Sequence, residues 1–288
     1  MDHRVWASLL VAAATLACSA GAARETPPDR GSAGTAVIDA GPGPGPSSGG
    51  TPAVVLDAGM NPTDASTAAQ TCDGKLKGVV RDFSMQHPDF EVVSHDPSKC
   101  YCSDRGMVAT ALGDDRRPIY AADPALGSPS TTGKDSFDQW FRDVPGVNQS
   151  MELELQFVEQ DGTGVFTYDN QAFFPIDEQL LGNEGKLHNY HFTFELHTEF
   201  IYRGGEVFTF VGDDDVFTFI NGQRVADLGG VHASETAVVE LDQVAQTLGL
   251  TPGGTYPLDF FFAERHMTES HFRMDTSLEF VDCGTIVK

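Results

Sequence analysis

Three stretches alternate apolar and polar residues one by one: Met151-Glu152-Leu153-Glu154-Leu155-Gln156-Phe157, Phe192-Thr193-Phe194-Glu195-Leu196-His197, and Phe272 through Phe280. A period of two is the pattern of an antiparallel strand with one buried face, and a helix cannot satisfy it. Val207–Val211, Val216–Ile220 and Leu258–Ala263 are apolar on both faces or nearly so and belong in the middle of sheets. Asn221-Gly222 between two such runs is a two-residue hairpin turn, because both positions tolerate positive φ. Phe192, Phe194, Phe208, Phe210, Phe217, Phe219, Phe260 and Phe262 all fall at core positions. The expected fold is therefore all-β, an antiparallel β-sandwich with short helical insertions. Two insertions read as helices. In Asp135–Val144 the apolar residues recur at helical spacing behind an Asp or Ser cap, and Asp242–Gly249 runs from a capping Asp to a terminating Gly.

This pattern starts only at Cys72. Residues 1–20 read as an export signal: Arg4 supplies the positive region, and Val5–Ala17 form an apolar core too short to span a bilayer. Thr15-Leu16-Ala17-Cys18 resembles a bacterial lipobox, which would place a lipid on Cys18. Ordinary cleavage after Ala20 or Ala23 is the other reading. Residues 21–71 are dominated by Gly, Pro, Ala, Ser and Thr, and Gly41–Gly50 cannot build a core, so the segment reads as a disordered spacer. The layout is that of a domain, residues 72–288, exported and held away from a surface or released, with no transmembrane segment once the signal is removed. The formal charge of −24 over 288 residues argues against nucleic acid or an anionic membrane as a partner.

Setting Cys18 aside, Cys72, Cys100, Cys102 and Cys283 form an even set, which reads as disulfides in an exported chain. Three pairings exist. A Cys72–Cys283 bridge would staple the domain ends, and Cys100 and Cys102 are too close for an unstrained mutual bridge to be assumed.

Gly212-Asp213-Asp214-Asp215-Val216 places three carboxylates directly before an apolar strand. Like charges 4 Å apart repel by roughly 1 kcal/mol per pair even in water. An all-oxygen ligand set of this kind suits a hard cation, calcium before zinc. In a regular strand Asp213 and Asp215 point one way and Asp214 the other, so two neighbours converge only at a sharp bend or a cis peptide. A solvated acidic turn is the alternative. His191, Glu195 and His197 would share the polar face of one strand, open to solvent or to zinc. Glu264-Arg265, after an apolar strand, reads as an ion pair. No nucleophile elbow, phosphate loop, metalloprotease helix or dinucleotide fingerprint is present, so the chain reads as a non-enzyme. Trp140 and Tyr190 are the candidate rings for stacking on a ligand.

Several separated motifs, in order, resemble the fibro-slime domain. They are Val80-Arg81-Asp82-Phe83, His87-Pro88-Asp89-Phe90-Glu91, Phe173-Phe174-Pro175-Ile176-Asp177, Phe208–Val216, Ile220-Asn221-Gly222, Asp227–His232, Leu248–Gly253, Tyr256–Asp259 and Phe261–His266. The resemblance spans roughly residues 76–280. It implies a relation to the protective-antigen-like sandwich clan, including flocculin adhesins, in which two adjacent aspartates joined by a cis peptide hold calcium and the calcium holds sugar. Asp213 and Asp214 would be those ligands, with Asp215 beside them. His232, Glu264, His266 and His271 would line the site, His271 standing where the family usually has Asn. The implied role is calcium-dependent binding of a glycan or extracellular polysaccharide in adhesion. A structural surface protein that binds a protein partner, and a secreted glycan hydrolase, are the other two readings.

Overall fold

The computed structural model describes residues 72–284. The expected export signal, Cys18 and the spacer lie outside the described residues. Twelve strands form two sheets. The larger has seven strands in the order β2 (Asn148–Gln156), β1 (Lys75–Phe83), β5 (Phe192–Ile201), β10 (Thr255–Glu264), β7 (Asp215–Ile220) and β8 (Gln223–Leu228), with β12 (Glu279–Asp282) pairing to the end of β5. The smaller runs β3 (Val158–Glu159), β4 (Phe166–Asn170), β11 (Phe272–Thr276), β6 (Val207–Gly212) and β9 (Glu235–Glu240). All pairings between these strands are antiparallel. The β7–β8 hairpin turns at Asn221 (φ 49°) and Gly222 (φ 74°), as their sequence demands.

The eight phenylalanines expected in the core are all fully buried. They divide between two cores, because the large sheet is covered on both faces. Between the sheets, Phe194, Phe260 and Phe262 meet Phe208, Phe210 and Met274. Phe272 sits among them, its ring 5.2–5.6 Å from those of Phe210, Phe260 and Phe262. On the opposite face Phe217, Phe219, Phe261 and Ala263 pack against Met107, Val108, Phe137, Trp140 and Phe141. These last residues come from the long connection between β1 and β2, which carries α1 (Val92–His95) and α2 (Lys134–Phe137).

Three expectations change here. The helix expected over Asp135–Val144 is only the four residues of α2. Beyond it the Trp140 carbonyl accepts from Thr193 of β5 and the Phe141 carbonyl from Arg117 of the same connection, so the helical ladder stops. The second helix forms as α3 (Leu241–Leu248), ended by Gly249 at φ 69°. The single strand expected over Phe272–Phe280 breaks after Thr276, whose hydroxyl accepts from Leu278 N, and β12 changes sheet. The polar face of β5, expected in solvent, is buried: Glu195 and His197 are each 1 % exposed. Arg81 pairs with Glu195 at 3.0 Å, and His197 with Asp259 at 2.7 Å. His191 lies apart from them, between Glu91 and Glu184.

His197 gives a pH test of this covered layer. Burial works against its charged form, but hydrogen bonds and charge from Asp259 and Glu195 outweigh burial and hold its pKa above the ordinary 6.5. The folded value is the higher one, so the stabilisation is complete below about pH 6.5 and lost as pH rises through the folded value. His197→Gln is expected to flatten the fall of melting temperature as pH rises above roughly 6.5. Equal slopes in the two proteins would show that the imidazole carries no such stabilisation.

Cys72 bridges Cys283, 211 residues away, and Cys100 bridges Cys102. Lys77 N donates to Cys283 O at 2.8 Å, which brings the domain ends together and leaves the two nearby cysteines to each other. Replacing Cys72 and Cys283 by serine is expected to cost about 2–5 kcal/mol, read as a lower denaturant midpoint with a steeper slope, because the unfolded chain exposes more surface once the bridge is gone. Among the described residues no helix is long and apolar enough to cross a membrane.

Candidate functional site

Two links between the sheets meet at one end of the sandwich. Asp213 and Asp214 join β6 to β7, and residues 265–271 join β10 to β11. Register holds them side by side, because Gly212 pairs with Phe272 and Asp215 with Ala263. Gly212 is required at this approach: a Cβ there would lie 2.3 Å from His271 O. The Asp213–Asp214 peptide is cis.

Each aspartate of the run has a different setting. Asp213 is 5 % exposed and accepts from His271 N at 2.7 Å, with its other oxygen 3.0 Å from His271 Nδ1. Asp214, 4 % exposed, accepts from His232 N at 3.2 Å and Arg265 N at 3.1 Å. Asp215 is fully buried and takes Arg265 Nε at 2.6 Å, Arg265 Nη2 at 3.1 Å and Gly230 N at 2.6 Å. Both its oxygens are committed to the guanidinium and the loop, so the expectation that Asp215 is a metal ligand is corrected. The expected Glu264–Arg265 pair is corrected for the same reason. Arg265 belongs to Asp215, donates to Ser130 O at 2.7 Å and lies 4.7 Å over the Trp140 ring.

Glu264 stays on the other side of this arrangement, 1 % exposed, with its Oε2 lacking any hydrogen-bond partner. Burial first, then the charges of Asp214 and Asp213, push its carboxyl well above the usual range. Burial and the neighbouring Asp215 push Asp214 up to about 8. Carboxylates so short of compensating charge, with an orphaned oxygen among them, are the donor chemistry of a divalent cation site.

A groove of about 290 Å³ opens over Asp213 and Asp214, lined also by Tyr101, Val231, His232, His266, Thr268 and Glu269. His232 and His266 are thus at the rim, as expected. His232 also orders its loop, its ring nitrogens 2.9 Å from Ala233 O and 3.0 Å from Leu228 O. The two expected stacking rings are elsewhere. Trp140 is fully buried, donating to Asp89 Oδ2 at 3.0 Å beneath Arg265, and Tyr190 is 9 % exposed against Phe174. Both are walled off from sugar by packing. The ring on the groove is Tyr101, 38 % exposed and 4.1 Å from His266, its hydroxyl on Glu91. Sequence reasoning missed Tyr101 and Glu269, because both sit in irregular loops where no periodicity marks a face.

A PA14 domain family model matches residues 181–286, which include the whole aspartate run and both inter-sheet links. Protein psiR of Dictyostelium discoideum is 40 % identical over 211 residues, 68 % of this chain and 20 % of psiR. Protein psiC of the same organism is 36 % identical over 217 residues, 69 % of this chain and 40 % of psiC. The chain therefore spans well under half the length of these relatives. Among solved structures, the PA14 domain of the MpAFP antifreeze protein is 12 % identical with a TM-score of 0.28, over 43 % of this chain and 77 % of that one. The PA14 sugar-binding domain from an RTX adhesin is also 12 % identical, with a TM-score of 0.27, over 40 % of this chain and 71 % of that one.

Proposed function

We propose that residues 72–288 form an exported, calcium-dependent carbohydrate-binding module of the fibro-slime type that attaches to a glycan or extracellular polysaccharide and performs no chemistry on it. The observation that carries this reading is the pair Asp213 and Asp214. Their carboxylates stand nearly buried at the floor of an open groove, beside the unpartnered Glu264 oxygen. Asp213 and Asp214 would hold the ion. Calcium takes 6 to 8 oxygens, so positions facing the groove remain for vicinal sugar hydroxyls. Tyr101 offers a ring face beside them, and His232, His266 and Thr268 offer polar contacts. The match of residues 181–286 to the PA14 domain supports a binding role, as does the ordered series of fibro-slime motifs. The signal-like first 20 residues support export to the cell surface or beyond it.

The test is retention of the full chain on a panel of immobilised polysaccharides, in calcium and in chelator. Retention in calcium and release by chelator is the expected result. Calcium-dependent stability with no retention on any glycan would favour the structural surface protein that binds another protein. Release of product from a retained glycan would favour the hydrolase.

A further inference from the structure

We propose that Glu91 is the positioning residue of the groove: its one carboxylate ties the two walls together and so sets how tightly a glycan is held. The inference rests on the glycan-binding reading of that groove. One wall carries Tyr101, from the connection between β1 and β2. Another carries His266 and Thr268, from the link between β10 and β11. Glu91 belongs to the first and grips the second. Its backbone N donates to Arg265 O at 3.0 Å, and its Oε1 accepts from Met267 N at 2.8 Å, so the link is pinned on both sides of His266. Its Oε2 accepts from the Tyr101 hydroxyl at 3.0 Å and lies 3.6 Å from His266 Nε2. That oxygen is shared by the two rings of the rim, whose centroids are 4.1 Å apart.

The setting of Glu91 suits this role. It is 3 % exposed and sits at φ 53°, a left-handed conformation that side chains rarely adopt and that these bonds keep in place. Burial works against its charge, but His191 at 3.5 Å, His266, Met267 N and the Tyr101 hydroxyl hold its carboxyl below the ordinary range. An ionised carboxylate offers about four accepting sites, and hydrogen bonds to it are roughly twice as strong as those to a neutral oxygen. A glutamine of the same size has one accepting oxygen and cannot serve Met267 N, the Tyr101 hydroxyl and a histidine together. The backbone around Tyr101 is fixed by other means. The Cys100–Cys102 bridge closes around it, and Ser103 pairs with Gly230, two residues before His232. What Glu91 fixes is therefore the direction of the Tyr101 ring, and with it the spacing to His266.

The experiment passes the full chain, in calcium, over columns of dextran, galactomannan, xylan and chitin. Amide hydrogen exchange over residues 100–103 and 265–268 is measured alongside. Glu91→Gln should weaken retention by about tenfold and speed exchange in both segments. Its calcium-induced rise in melting temperature should be unchanged, because the Arg265 backbone that serves Asp214 keeps its bond to Glu91 N. Tyr101→Phe keeps the ring and removes only the hydroxyl. Alone it should weaken retention by about threefold, and in the Glu91→Gln background it should add almost nothing, since both changes remove the same bond. Full retention in both variants overturns the proposal. So does a loss of retention matched by an equal loss of the calcium response, which marks a merely structural role. A parent that no column retains overturns the glycan reading. Faster exchange confined to the two segments in Glu91→Gln would then still uphold the clamp, and unchanged exchange would overturn it.

Discussion

Asp213→Ala is expected to abolish the rise in melting temperature that calcium gives the full chain. A ligand that binds only the folded state stabilises by about 2.7 kcal/mol at a hundredfold excess over its dissociation constant. For a domain of this size that is a shift of roughly 5–11 °C. Asp213 is one of two carboxylates at the floor of the groove, and its neighbour Asp214 is already committed to two backbone donors. Losing one of two anchoring carboxylates should reduce the shift to near zero. The variant should also lose calcium-dependent glycan retention. Without calcium the variant loses the acceptor for His271 N but also the repulsion of Asp213 on Asp214 and Glu264, so its stability should stay close to that of the parent. A calcium-induced rise of the original size in Asp213→Ala would overturn the assignment.

The second large effect is expected at Arg265. Its guanidinium is fully buried and holds Asp215, Ser130 O and Asp89 O, while its backbone N holds Asp214. Arg265→Met keeps the apolar stem but leaves the Asp215 carboxylate buried and uncompensated, which costs about 3–5 kcal/mol. The expected fall in melting temperature is about 10 °C or more. A double variant, Asp215→Leu with Arg265→Met, should recover much of that loss, because the buried charge goes with its partner. Melting within about 1 kcal/mol of the parent in Arg265→Met alone would show that the pair does not organise this end of the sandwich.

The strands with strict alternation, the Asn221–Gly222 turn and the phenylalanine core were legible because each is a local pattern. Residues two apart in β5, or adjacent in the hairpin, carry the signal themselves. The covered outer face was not legible. Glu195, His197 and Asp259 look like a solvent face, and only the 84–147 connection, far away in sequence, supplies Arg81 with Asp143 and places Arg116 and Arg117 over them. The aspartate run was visible as a candidate cation site, but its division of labour was not. Asp215 turns inward to a residue 50 positions away, and Glu264 takes its place beside Asp213 and Asp214. Likewise His271 and Glu269 reach Asp213 only through the β6–β11 register, which no short window of sequence contains.

The bridge between Cys72 and Cys283 bears on how the module carries a load. Cys283 follows Asp282, which pairs with Glu199 of β5, while the groove lies beyond the Phe192 end, roughly 20 Å or more away along that strand. Tension entering at Cys72 and leaving at Cys283 passes through one covalent bond across a Cα separation of 5.1 Å. The residues between Cys72 and Cys283 hang from that bond as a side loop, outside the line of a pull applied at the two cysteines. A pull applied at those two ends would leave the Asp213–Asp214 link unloaded, whereas a pull on anything held in the groove would pass through it.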